Sequence, residues 1–93
     1  MKTIKWLPRA SANRFKQLDF IAQQNPQAAI SQDEQIELQV DALAGTPPAS
    51  GRPGRKPGTR ELVISKTPFI AVFRVKGQTI EIMRLLHHSQ QYP

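Results

Sequence analysis

The sequence predicts an α+β fold: an N-terminal strand, then a two-helix hairpin packed on a small, mainly antiparallel C-terminal sheet. Three observations predict it. Apolar residues in the first half recur at spacings of three and four, those in the second half form short runs parted by turn residues, and a Pro- and Gly-rich stretch divides the halves. A chain of 93 residues buries only about 60–65% of its unfolded surface, so residues 1–93 are expected to form one domain around one core.

Each element has its own warrant. Thr3-Ile4-Lys5-Trp6-Leu7 alternates and is halted by Pro8, which reads as a first strand. From Ala10 or Ser11 to Gln24, Phe15, Leu18, Ile21 and Ala22 make one helical stripe. Asn25-Pro26 ends that helix and starts the next, because Pro disfavours α geometry in the residue before it yet suits a first helical position, where Asn is a good N-cap. The second helix is expected to run to about Ala44, with Ala29, Ile36, Val40 and Leu43 on its stripe and Gly45 as a left-handed cap. Ile30 and Leu38 fall off the stripe and point to a contact on a second side. Thr46 to Gly58, with Pro47, Pro48, Pro53 and Pro57 among three glycines, reads as a loop. Strands are then expected at Thr59–Ser65, Phe69–Val75 and Thr79–Leu86, parted by the turns Lys66-Thr67-Pro68 and Lys76-Gly77-Gln78.

Composition excludes several classes of function. The chain has no cysteine, so it can form neither a disulfide nor a thiolate zinc site, and the cytoplasm is the expected compartment. Two histidines and no acid cluster give no metal site, and no dinucleotide or Walker spacing occurs, so no cofactor is expected. No apolar run reaches the ~18 residues of a membrane span, and no membrane contact is expected.

Charge is the most informative feature. Residues 1–10 carry three cations and no acid, residues 11–45 two cations and five acids, and residues 46–93 eight cations and two acids. A basic second half behind an acidic middle calls for an anionic partner, either nucleic acid or an acidic protein segment. The stretch from Gly51 to Arg60 holds Arg52, Arg55, Lys56 and Arg60 without an acid. Glycine and proline between cations let guanidinium and backbone N–H groups approach a phosphate or carboxylate closely. Downstream, Arg84, His87, His88 and Tyr92 lie close together. Such a set could orient an RNA phosphate, protonate a leaving oxygen and stack a base. The plainer alternative is that His87 fills the sheet edge and His88 is solvated.

The order of elements, together with GRPGRKPGTRELVI (51–64), TPFIAVFRVKGQTIEI (67–82) and MRLLHHSQQYP (83–93), resembles the RelE/ParE superfamily of bacterial type II toxins, most closely its ParE-like branch. The resemblance implies two helices on a small antiparallel sheet and a cognate antitoxin whose extended segment wraps the toxin. On that basis Arg52, Arg55, Lys56, Arg60, Ile30 and Leu38 are the expected partner-binding residues. ParE-like members inhibit DNA gyrase, whereas RelE-like members cut mRNA on the ribosome. In the nuclease alternative Arg60, Arg84, His88, Tyr92 and Lys56 would be catalytic. Relatives of the branch often read LHGRQ where this chain has Leu86-His87-His88-Ser89-Gln90. The missing arginine weakens phosphate binding, while the added His88 resembles the general-acid position of some nucleases. The incomplete nuclease set favours gyrase inhibition without catalysis.

Overall fold

The computed structural model describes residues 1–47 and 50–89. Strand β1 (Thr3–Trp6) leads into helix α1 (Pro8–Gln24), helix α2 (Pro26–Ala42) and a 3-10 turn (Leu43–Gly45). Strands β2 (Arg52–Pro53), β3 (Arg60–Val63), β4 (Phe69–Lys76) and β5 (Thr79–His87) follow. They form one sheet in the order β1-β5-β4-β3-β2. The β1–β5 pair is parallel, with Thr3 opposite Thr79, and the other pairs are antiparallel.

Several boundaries differ from the sequence expectation, each for a local reason. Pro8 does not separate strand from helix; it occupies the first helical position, so α1 starts two residues before Ala10 and Leu7 is its N-cap. Asn25 performs both expected tasks: its N–H closes α1 on the Ile21 carbonyl at 2.8 Å, and its Oδ1 accepts from Ala28 N at 3.1 Å. Gly45 is not left-handed. Helix α2 tightens into the 3-10 turn, and the Thr46 hydroxyl donates to the Leu43 carbonyl at 2.8 Å. The loop expected from Thr46 to Gly58 contains β2, while β3 begins at Arg60 rather than Thr59 and ends at Val63 rather than Ser65.

The core lies between the helices and one sheet face, and includes Ile36 and Val40 of α2, Leu43, and Phe69, Ala71, Phe73, Ile80, Ile82 and Leu85 of the sheet. Along β4, Ile70 and Val72 alternate with these and are buried too. The run FIAVF is therefore apolar throughout because both faces of β4 are covered. The expected α2 stripe is buried as read. The α1 stripe holds only in part: Leu18 and Ile21 pack against the core half-buried, but Phe15 is 74% exposed and Ala10 takes the fully buried place.

What α1 presents to the sheet is partly polar. Strand β1 covers β5 only as far as Ile82, which leaves the backbone of Leu85 without a strand neighbour on that side. Asn13 and Gln17, one turn apart on α1, close the gap. Asn13 Oδ1 accepts from Leu85 N at 3.2 Å, and Gln17 Nε2 donates to Leu85 O at 2.8 Å. Gln39 of α2 serves the β3–β4 turn in the same way, accepting from Ser65 N and donating to Ser65 O, each at 2.9 Å. Side-chain amides thus complete backbone ladders that strands leave open.

Two predictions follow from these contacts. Replacing Asn13 and Gln17 by Ala strands a buried N–H and C=O, so the double variant should lose about 2–3 kcal/mol, lowering the melting temperature by about 8–24 °C; an unchanged melt would refute the role. Across β4 and β5, Arg74 Nε meets Glu81 Oε1 at 2.6 Å, and this hydrogen bond holds the Glu81 carboxyl below its ordinary value. A carboxyl whose folded pKa is lowered binds fewer protons than in the unfolded chain, so its stabilisation is present above the ordinary carboxylate range and is lost as pH falls through the lowered value. Arg74→Gln should therefore flatten the acid limb of the melting temperature against pH and leave the curve above pH ~6 parallel to wild type.

Candidate functional site

The cationic stretch is folded around a single carboxylate. Glu61 sits on β3 opposite Arg52 of β2 on one side and Val72 of β4 on the other, so these side chains share one face. Its side chain is 2% exposed. Arg52 donates from Nη2 and Nε to Glu61 Oε1 at 2.9 and 3.2 Å, and Arg55 Nε stands 3.5 Å from Oε2. Among the described residues Oε2 accepts no hydrogen bond, so the Arg55 contact is electrostatic rather than a formed bond. The sequence reading placed no acid within the stretch and missed Glu61 just after it. The signal that could have found it is a lone acid at an inward strand position beside four cations.

Arg60 is held differently. Its Nε donates to Ser50 O at 2.7 Å and its Nη2 to Gly51 O at 3.0 Å. Those carbonyls engage two of the guanidinium's N–H groups without cancelling its charge. Gly51 takes a positive φ of 79°, and a Cβ there would lie 2.6 Å from the Glu61 carbonyl oxygen, so only glycine lets the loop return this close to β3. Pro53, Gly54, Lys56, Pro57, Gly58, Thr59, Arg60 and Val75 line an open hollow of about 400 Å³ that contains no acid. The loop therefore splits its cations: Arg52 and Arg55 share Glu61, while Lys56 and Arg60 line the hollow.

The helix acids are occupied elsewhere. Arg14 donates to Asp33 at 2.7 Å and Glu37 at 2.9 Å, and its guanidinium stacks 4.7 Å from the Trp6 ring centre. Burial opposes the Arg14 charge, yet the hydrogen bonds to Asp33 and Glu37 outweigh it and hold the group above its ordinary value. Neither acid reaches the basic loop.

Of the residues singled out at the C-terminal end, Arg84 stands on β5 opposite Val72 of β4, which in turn faces Glu61 of β3. Arg84 Nε donates to Asn13 Oδ1 at 3.1 Å. His87 meets Phe69 edge-on at 6.1 Å, and its Nδ1 lies 2.7 Å from the Ser89 hydroxyl. His88 is exposed. Tyr92 lies outside the described residues. Of the two off-stripe residues of α2, Ile30 is 53% and Leu38 66% exposed. Ile30 lines an open groove of about 260 Å³ between the helices with Phe15, Leu18, Ala22 and Ala29, with Asp19 and Asp33 also in its lining, whereas Leu38 stands apart from it.

The pairing predicts a specific pattern of stability. Arg52→Ala with Arg55→Ala leaves the Glu61 carboxylate buried without cations and should cost about 3 kcal/mol, which lowers the melting temperature by about 12–24 °C. Adding Glu61→Gln should recover most of that loss; a triple variant melting with the double would refute the pairing.

Similarity to known proteins extends along nearly the whole chain. Residues 4–92 match the family model described as "ParE toxin of type II toxin-antitoxin system, parDE". A protein of Sinorhizobium fredii (strain NBRC 101917 / NGR234), named "Putative toxin Y4kP", is 40% identical over 92 residues, which span 99% of this chain and 94% of the relative. A solved structure titled "Chromosomal ParDE TA system from P. aeruginosa" superposes with a TM-score of 0.82 at 34% identity, covering 94% of this chain and 96% of that one.

Proposed function

The chain belongs to the ParE toxin family of type II toxin–antitoxin systems, and on that premise we propose that it arrests growth in the cytoplasm by binding and inhibiting DNA gyrase, without catalysis, until a cognate antitoxin neutralises it. The observation that carries the choice of mechanism is the state of the two arginines a nuclease would need. Arg60 is bonded to the Ser50 and Gly51 carbonyls and Arg84 to Asn13, so both guanidiniums serve the fold. A nuclease arginine must instead turn its donors toward a scissile phosphate. His87 rests against Phe69, which supports the same reading.

The antitoxin reading rests on complementary surfaces. Exposed Ile30 and Leu38 offer apolar contacts, and Arg52, Arg55, Lys56 and Arg60 offer charge to an acidic segment. An extended chain that crosses from the helices to the loop would meet both.

The test is a pair of assays on the purified protein. Supercoiling by gyrase should stop on adding the toxin and resume on adding antitoxin, while primer extension on translating ribosomes shows intact transcripts. Codon-phased cleavage that His88→Ala abolishes would overturn the proposal in favour of a ribosome-dependent endoribonuclease.

A further inference from the structure

The exposed faces of the two helices carry matched patterns. On α1, Arg9, Ala12, Lys16 and Phe20 recur at steps of three, four and four and form one exposed stripe. On α2, Ile30, Glu34, Leu38 and Asp41 recur at steps of four, four and three and form another. One stripe alternates cation with apolar side chain, the other acid with apolar side chain. Among the described residues none of these four charges forms an ion pair: the bridges of the hairpin are those of Arg14 with Asp33 and Glu37, and the others lie in the C-terminal half. Asn25 both ends α1 and caps α2, so residues equally far from it stand at about the same height along the antiparallel pair. Arg9 and Asp41 are each sixteen residues from Asn25, Ala12 and Leu38 thirteen, Lys16 and Glu34 nine, Phe20 and Ile30 five. Arg14, eleven away, bonds Asp33 and Glu37, eight and twelve away, as that rule requires.

We propose that the free toxin pairs with a second copy of itself through this hairpin, each α1 stripe lying along the α2 stripe of the other copy. A two-fold axis parallel to the helices keeps every residue at its own height. It therefore sets Arg9 against Asp41, Ala12 against Leu38, Lys16 against Glu34 and Phe20 against Ile30 of the second copy, and makes each match twice. A partner for α2 must bring cations and apolar groups in alternation, and α1 of a second copy brings them in the right order. The apolar levels supply affinity and the charged levels fix the register. Helices of 17 residues span about 25 Å, so two stripes cover about 500 Å² per copy. That is near the lower limit of specific interfaces, so the pair is weak. Ile30 and Leu38 are also the apolar contacts offered to the antitoxin, so the antitoxin and the second copy exclude each other. Only this exclusion rests on the antitoxin reading.

The experiment is sedimentation velocity of the purified full chain over a range of concentrations. The mass should rise from 10.5 kDa toward twice that value, with a dissociation constant of about 1–100 µM. Lys16→Glu sets like charges together at two levels and should raise that constant about tenfold. Adding Glu34→Lys should bring it back to within about threefold of wild type, because the exchanged charges meet again across the axis. Lys76→Glu, at the end of β4, changes net charge equally and should leave the constant within about twofold. A carbodiimide, which joins amines to carboxylates already in contact, should link Lys16 of one copy to Glu34 of the other, and saturating antitoxin should abolish that link. A single-chain mass at every concentration up to about 500 µM would overturn the proposal. So would equal losses for Lys16→Glu and Lys76→Glu, or a double variant no better than Lys16→Glu alone. A link that survives the antitoxin would overturn the exclusion. Pairing is measured on the toxin by itself, so its failure is separable from a failure in the supercoiling assay.

Discussion

The structure depends on how strand β5 is enclosed. Its first half lies between β4 and the short parallel strand β1, but beyond Ile82 only β4 remains as a strand neighbour. Two amides of α1 take the missing strand's place at Leu85. This arrangement fixes the helical hairpin over the sheet at a point where apolar packing alone would let it slide. It also explains why α1 does not face the sheet with apolar atoms alone: Asn13 and Gln17 reach Leu85 of β5, and Phe15, which the apolar pattern would place inside, is outside. Arg84 is drawn into the same knot through Asn13, so a residue that resembles a phosphate ligand becomes part of the scaffold.

Electrostatics follows a comparable division of labour. Two acids of the helical half, Asp33 and Glu37, are held by Arg14, itself stacked on Trp6, and so are spent away from the loop. Inside the basic half, Glu61 collects two arginines and shapes the loop, at the cost of reducing its usable charge. A net positive surface is thus compatible with a tightly organised loop, because one buried acid orders a stretch that carries four cations. Desolvating Glu61 is tolerable only with both arginines near, which binds the geometry of β2 to that of β3.

Much of this architecture was legible in the residues, and the exceptions are instructive. Ala29, Ile36, Val40 and Leu43 read as an inward stripe and are buried, because nothing on α2 competes with apolar burial there. Asn25-Pro26 was legible because both residues act within one turn of themselves. Phe15 was misread because periodicity assumes that a helix faces its core with apolar atoms, whereas α1 faces a strand's open backbone. Gly45 was misread because a 3-10 turn satisfies the last carbonyls without a left-handed residue. At the site, the four loop cations could be picked out as a group, but their division into two sets could not. That division depends on Glu61 arriving beside Arg52 through cross-strand pairing, and on Ser50 and Gly51 curling back over Arg60, neither of which is a local property of the chain.

The parallel pairing of Thr3 with Thr79 has a consequence for synthesis. The first strand made on the ribosome finds its neighbour only when the last strand emerges, so loop closure spans most of the chain and comes late. During translation the sheet stays unfinished, and the helical hairpin lacks the surface that should hold it. The finished shape therefore hinges on a seam between the earliest and the latest strand, and neither half of the molecule holds it alone.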